Sequence, residues 1–395
     1  MYNKEMYKIG AKGSDIRELF EYGKKRKKEI GEDKVFDFSI GNPSVPSPKI
    51  VNDTLIELIN NVEPTKLHGY TSASGDNYVK EQIANYINSK YEATVNPNLI
   101  YMTCGAAASL SITFKAILNP RDEVIVISPF FPEYKVFVEN AGGKIVISKS
   151  DNNFIPDFED LENKITSKTK AVIINSPNNP TGVVYNSDAI IKLSSILSRK
   201  EKEYKNTIYL VSDEPYRELV YGDVEVPYIT KYYNDAIICY SFSKSLSLPG
   251  ERIGYILVSP KCNDCETIYK SICGAGRSMG FVCAPALFQY MIPKCLGYTS
   301  DINVYKENRD LLYNELTKYG YEVIKPEGAF YIFVKSLEDD AYAFSEKAKD
   351  YELLLVPSDS FGVKGYIRIS YCVSKKQIID SLPAFKKLIE EYKNK

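Results

Sequence analysis

Several short stretches in the middle of the chain carry side chains suited to covalent and proton-transfer chemistry. Lys244 closes Ser241-Phe242-Ser243-Lys244, and Arg252 opens Arg252-Ile253-Gly254 eight residues later. Asp213 and Tyr216 bracket Asp213-Glu214-Pro215-Tyr216, while Asn179 lies in Asn178-Asn179-Pro180-Thr181-Gly182. Phe131 sits in Pro129-Phe130-Phe131-Pro132, and Gly105-Ala106-Ala107 precedes an apolar, helix-like run. A lysine amine can attack a carbonyl and relay a proton. The unpaired N–H groups of a helix start can hold a phosphate, and an arginine can close around it. Each residue alone also has a plain structural meaning. Lysines are mostly solvated, an Asp ending a strand often serves a turn, and a Phe pair can simply pack. Order and spacing taken together carry the signal.

The elements that must position these residues are visible in the same stretch. Between about residues 100 and 260, short apolar runs alternate with longer helix-like segments. The predicted strands are Glu123–Ser128, Lys144–Ile147, Ala171–Asn175, Ile208–Asp213, Ile237–Ser241 and Ile253–Val258. They are rich in Ile and Val with little alternation, as in strands covered on both faces. Predicted helices at Ala106–Leu118, Glu133–Asn140 and Ser187–Glu203 fill the gaps. The fold class is therefore α/β with a mostly parallel central sheet. Ligands of such sheets sit beyond the carboxyl ends of the strands, where these side chains fall. A large domain is expected over 49–288. A smaller α+β domain would be built from both chain ends, 1–48 and 289–395, with a helix near Asn303–Lys318 and strands in YIFV and YIRIS.

Composition excludes other chemistries. With 395 residues, 44% hydrophobic, the chain suits two or three ordinary domains. A net charge of -1 argues against a nucleic-acid or anionic-membrane partner. The basic run Lys24–Lys28 reads as a solvated helix face. No run of about 18 apolar residues and no signal-like start is present, so a soluble, cytoplasmic protein is expected. The single histidine, His68, rules out a multi-histidine metal site and reads as a loop residue. One CxxC pair, Cys262 and Cys265, lacks the second pair that zinc needs, so no metal is expected.

Asn178–Gly182, Asp213–Tyr216 and Ser241–Lys244 with Arg252–Gly254 resemble the motifs of class I/II aminotransferases. The likeness runs from Gly41-Asn42-Pro43 through Gly69-Tyr70 to Arg368-Ile369-Ser370. It implies a fold-type I enzyme dependent on pyridoxal 5'-phosphate. In that reading Lys244 forms the Schiff base and moves the proton, and Asp213 pairs with the pyridine nitrogen. Tyr216 and Asn179 bond the phenolic oxygen, and Phe131 stacks on the ring. Arg252, Ser241 and the N–H groups of Gly105, Ala106 and Ala107 hold the phosphate. Arg368 grips the substrate carboxylate, which Gly41 approaches through its backbone and Asn179 also meets. Tyr70 reaches the neighbouring subunit's cofactor, which requires a homodimer.

The resemblance points to transfer of an amino group from an L-amino acid to a 2-oxo acid. Aspartate and 2-oxoglutarate are the first expectation, with Arg277 of the neighbouring subunit as a possible partner for the side-chain carboxylate. Alanine or aromatic amino acids follow, and β-elimination from a cysteine conjugate is the alternative on the same scaffold. A regulator with an added DNA-binding domain and a nicotinamide dehydrogenase fit less well, since no G-x-G-x-x-G opens a helix after a strand. Two departures from the family pattern stand out. Val79-Lys80 replaces Leu-Arg, read as a packing and surface change. Ser stands in Pro357–Gly362 where Pro-Gly is usual, read as a change beside the substrate.

Overall fold

The computed structural model describes residues 2–11 and 13–394. Met1, Lys12 and Lys395, parts of the expected small domain, lie outside the described residues. Seven strands form the main sheet: β1 (Ile100–Thr103), β2 (Glu123–Ile127), β3 (Lys144–Ser148), β4 (Thr169–Asn175), β5 (Tyr209–Asp213), β6 (Ala236–Ser241) and β7 (Gly254–Val258). Their order is β1-β7-β6-β5-β4-β2-β3. Only β7 runs against its neighbours β1 and β6; every other pair is parallel. Strand β1 was not foreseen, because four residues after a Pro97–Leu99 turn give too short an apolar run to separate from the helix before it.

Alternate side chains of these strands enter different cores, which explains their continuous apolar sequence. Val124, Val126, Ile173, Val211 and Ile237 pack with helix Ala106–Ile117 and helix Cys265–Ser278. Ile125, Val172, Ile174 and Leu210 face the other way, against helix Ser187–Tyr204. Beside them Ile238, Leu257, Ile100 and Met102 meet helix Asn77–Tyr91 and helix Ala286–Cys295. The division expected after residue 288 cuts this last helix. Its buried Met291, Ile292 and Cys295 pack among Val51, Val79 and Ile83, on the side of the main sheet.

Farther along the chain, Tyr331–Lys335, Val356–Pro357 and Tyr366–Ser370 form an antiparallel sheet. Helices Ile302–Tyr319 and Lys375–Lys393 pack on each other beside it. The other end of the chain joins here. Phe36–Asp37 pairs in parallel with Leu353–Leu354, and Phe38 lies in the same apolar core.

Two surface readings need correction. The basic run on helix Asp15–Ile30 is not wholly solvated: Arg26 pairs with Glu352 at 2.6 Å, and Lys27 with buried Asp37 at 3.3 Å. Charge periodicity could not reveal carboxylates so far away in sequence. Lys80 is not a surface residue either. It is 5% exposed, with Nζ donating to Ser74 Oγ at 3.4 Å, and burial lowers its pKa.

Candidate active site

The carboxyl ends of β4, β5 and β6 deliver Asn175, Asp213 and Ser241 to one edge of the sheet. Register sets them side by side: Asn175 lies opposite Asp213, which lies opposite Cys239 on β6. Asn175 Nδ2 donates to the Asp213 carbonyl at 2.9 Å, and its Oδ1 accepts from the Asn179 N–H at 2.7 Å. The turn that carries Asn179 is thereby tied to the strand that carries Asp213. A cavity of about 270 Å³ opens at this edge, with Phe131, Asn179, Asp213, Tyr216, Lys244 and Arg368 in its wall. Gly41, Ala106, Ala107, Ser241 and Arg252 lie in the same wall, whereas the predicted Gly105 and Tyr70 do not line it.

Lys244 sits on the one-turn helix Phe242–Ser245, whose start is capped by Ser241 Oγ accepting from Ser243 N–H at 3.2 Å. Its Nζ donates to the Gly41 carbonyl at 2.7 Å, so the amine bridges the two chain regions. Burial pulls the Lys244 ammonium down to about 8, and Arg252 and Arg368 push in the same direction. A neutral, nucleophilic amine is therefore accessible near neutral pH. Gly41 has room for no side chain, since a Cβ there would overlap the Tyr331 hydroxyl.

Asp213 is buried and half satisfied. Its Oδ2 accepts from the Tyr134 hydroxyl at 2.6 Å, but its Oδ1 has no partner among the described residues. Burial raises its pKa to about 7, with adjacent Glu214 adding to the rise and the Tyr134 bond opposing it. An uncompensated buried carboxylate calls for a donor that carries positive charge. Across the cavity Arg368 presents the opposite problem. It is 1% exposed; its Nη1 donates to Asn179 Oδ1 at 3.1 Å and Nη2 to the Ser39 carbonyl, while among the described residues it makes no salt bridge and its Nε meets no acceptor. The guanidinium rests over the Tyr331 ring at 4.7 Å. The plain reading of this arginine as a strand salt bridge does not hold.

An anion cradle lies beside the lysine. Helix Ala106–Ile117 starts at the cavity, and Gly105 before it takes φ +87°. A Cβ on Gly105 would lie 2.9 Å from Arg252 Nη2, so the glycine lets the guanidinium approach the helix start. Ser241 Oγ and Ser243 Oγ are 2.7 Å apart on the same side, and Arg252 Nη1 donates to Ser243 Oγ at 3.5 Å.

The sequence reading missed several participants. Tyr134 lies on helix Glu133–Asn140, Tyr331 on the antiparallel sheet, and Asn175 ends β4. Each stood inside a predicted element, but periodicity cannot say which distant group a side chain meets. Tyr331 OH lies 2.9 Å from Tyr216 OH, linking the antiparallel sheet to the turn that follows β5. Tyr70, in contrast, does not line this wall and is 96% exposed. His68 and Arg277 are exposed as well, and neither lines the cavity.

The family model for aminotransferase class I and II matches residues 33–382, most of the chain. The chain belongs to the class I and II aminotransferases. Aspartate aminotransferase of Thermotoga maritima is 32% identical over 358 residues, covering 89% of this chain and 90% of that one. A (5-formylfuran-3-yl)methyl phosphate transaminase of Methanocaldococcus jannaschii is 31% identical over 370 residues, covering 91% and 92%. The crystal structure of an amino transferase from Eubacterium rectale superposes with a TM-score of 0.97 at 54% identity, covering 99% of both chains. This aminotransferase is thus a member of a family that works with pyridoxal 5'-phosphate, and the residues present fit that cofactor. The orphaned Asp213 oxygen suits a protonated ring nitrogen, and the cradle of Gly105 and Arg252 suits a phosphate. Among the described residues no helix is long and apolar enough to cross a membrane.

Proposed function

We propose that this aminotransferase transfers the amino group of an L-amino acid, aspartate first, to a 2-oxo acid such as 2-oxoglutarate. The observation that carries the reading is charge placement. Asp213 and Arg368 are both buried without a counter-charge, and Lys244 shares the cavity wall with both. Such groups are costly unless a ligand completes them. When bound, pyridoxal phosphate supplies a carbonyl carbon that exchanges the amino group and a ring that accepts electrons from the substrate Cα.

Lys244 would hold the cofactor and carry the proton at its Nζ. Asp213 would keep a proton on the ring nitrogen, Tyr216 and Asn179 would bond the ring hydroxyl, and Phe131 would cover its face. Gly105, Ala106, Ala107, Ser241 and Arg252 would take the phosphate, as helix starts and guanidinium groups do. Arg368 would receive the α-carboxylate on two parallel donors. The unit of 1–48 and the C-terminal residues would close on the unit that begins at 49, carrying Arg368 toward Lys244. On this division helix Ala286–Cys295 stays with the larger unit, because its apolar face is buried there.

The working form would be a cytoplasmic homodimer. Tyr70, 96% exposed on its own chain, would lie against the partner's cofactor, and exposed Arg277 would serve the partner's substrate. The similarity to aspartate aminotransferases supports aspartate as donor.

A spectroscopic half-reaction tests the reading. Single amino acids are added to the cofactor-loaded protein without any oxo acid. Aspartate should shift the cofactor band with release of one equivalent of oxo acid per site, and Lys244→Ala should slow turnover by about 10⁴-fold. Absence of a cofactor band after adding pyridoxal phosphate would overturn the proposal. Continuous release of pyruvate and ammonia would replace transfer by elimination.

A further inference from the structure

Behind the turn that bears Asp213 and Tyr216 lies a second cavity, of about 630 Å³, sharing no residue with the first. It is bounded by the end of helix Asn77–Tyr91, by the segment 217–232 and by Gly297 and Thr299. Its floor is a stacked pair of tyrosines, Tyr91 and Tyr228, with ring centroids 4.9 Å apart and planes within 10°. Arg217 lies 5.2 and 4.9 Å from these rings.

Two buried polar atoms in this wall have no partner among the described residues: Glu218 Oε2 and the hydroxyl of Tyr228, a residue only 4% exposed. The arginine does not serve them. Its Nε and Nη2 go to Glu214 at 2.5 and 2.8 Å, and its remaining bonds reach the Val226 and Pro227 carbonyls. On the rim Lys231 faces Glu92 at 3.8 Å, while Lys90 and Glu225 are exposed. Glu218 Oε2 is therefore a buried acceptor atom left unmatched, although the Tyr240 hydroxyl bonds the same carboxyl. Burial pushes its carboxyl up to about 7, against the pull of Arg217 and the nearby Tyr240 hydroxyl. A buried polar group without a partner is uncommon in a native fold and asks for one.

We propose that this cavity is a second ligand site, taking a small organic cation whose primary ammonium bonds Glu218 and the Tyr228 hydroxyl. The charge type follows from the wall. A cation supplies the donor that Glu218 Oε2 lacks, and tyrosine faces attract positive charge, whereas an anion would meet that open carboxyl oxygen. The volume suits a ligand of ordinary metabolite size.

Calorimetric titration tests it on the cofactor-loaded protein after borohydride reduction, so that amines cannot react at Lys244. If no cofactor is present there is nothing to reduce and the titration proceeds unchanged, which keeps it independent of the proposed function. The probes are tyramine, agmatine and putrescine, with 4-hydroxyphenethyl alcohol as the uncharged control. At least one amine should bind saturably and about tenfold or more tighter than the alcohol. Glu218→Gln, which keeps the shape, should weaken that amine by about tenfold, and Tyr228→Phe by a smaller factor. Melting curves of both variants should match or exceed that of the parent, since Glu218→Gln removes a buried charge and Tyr228→Phe an unpartnered hydroxyl. No saturable binding by any of the three amines, or undiminished binding in a folded Glu218→Gln protein, overturns the proposal.

Discussion

Asp213 and Glu214 are neighbours in sequence, both buried acids at the end of one strand, and their surroundings are opposite. Glu214 is completed within the protein. Its Oε1 accepts from Ser212 Oγ and Arg217 Nη2, both at 2.8 Å, and its Oε2 from Arg217 Nε at 2.5 Å. Asp213 receives one phenol and leaves an oxygen unpartnered. Strand alternation sends the two side chains to different surroundings, so adjacent residues of one charge do different work. The paired acid holds the fold together; in the proposed function the unpaired one would meet a ligand. Burial alone does not mark a functional carboxylate, whereas burial with an unmet hydrogen bond does.

Breaking each side of this contrast should give separable results. Glu214→Ala leaves the Arg217 cation buried without its carboxylate, and stability should fall by about 3–5 kcal/mol, read from denaturant melts. If the variant melts like the parent, the structural reading of Glu214 is wrong. Asp213→Asn should reduce turnover by about 10²–10³-fold in the loaded enzyme, from loss of a preorganised charge. Without cofactor the same change should stabilise.

The sign of that stabilisation follows from the pKa. Burial raises the Asp213 value from 3.8 to about 7, so the folded chain holds a proton that the unfolded chain releases. Stability of the cofactor-free protein should therefore decline as pH rises from about 4 to about 7 and then level off. Asp213→Asn should flatten that decline, and melts at pH 5 and pH 8 would reveal it. An unchanged slope would remove the case for an uncompensated carboxylate. The smallest of these effects belongs to the opposite pole of the cavity. Arg368→Lys keeps the charge but loses the planar pair of donors, and should lower kcat/KM about 10–100-fold, mainly through KM for the amino acid. An equal loss with an amine lacking the α-carboxylate would show that Arg368 serves the fold instead.

Much of this arrangement was legible in the chain. Ile- and Val-rich runs place six of the seven main strands within a residue or two, because strands covered on both faces leave no room for polar alternation. The parallel order then puts Asn179, Asp213 and Lys244 at one sheet edge without any knowledge of contacts. What escaped notice depended on pairs far apart in sequence. Tyr134 meets Asp213, Tyr331 meets Tyr216, and Arg26 meets Glu352, and no local pattern encodes such distances. Lys80 shows the same limit in reverse, since a charged residue on a helix looks solvated until its neighbours are known.

The sequence by itself determined the α/β class, the family and the identity of the lysine, carboxylate and arginines available for chemistry. These follow from side-chain type and short-range order, which are properties of the chain alone. Only the tertiary structure decided which of those groups are left uncompensated. Whether Asp213 or Glu214 carries an open hydrogen-bond position, and whether Arg368 has a counter-ion, depends on which segments fold against them. Electrostatic cost is set by surroundings, and surroundings exist only once the chain has closed on itself.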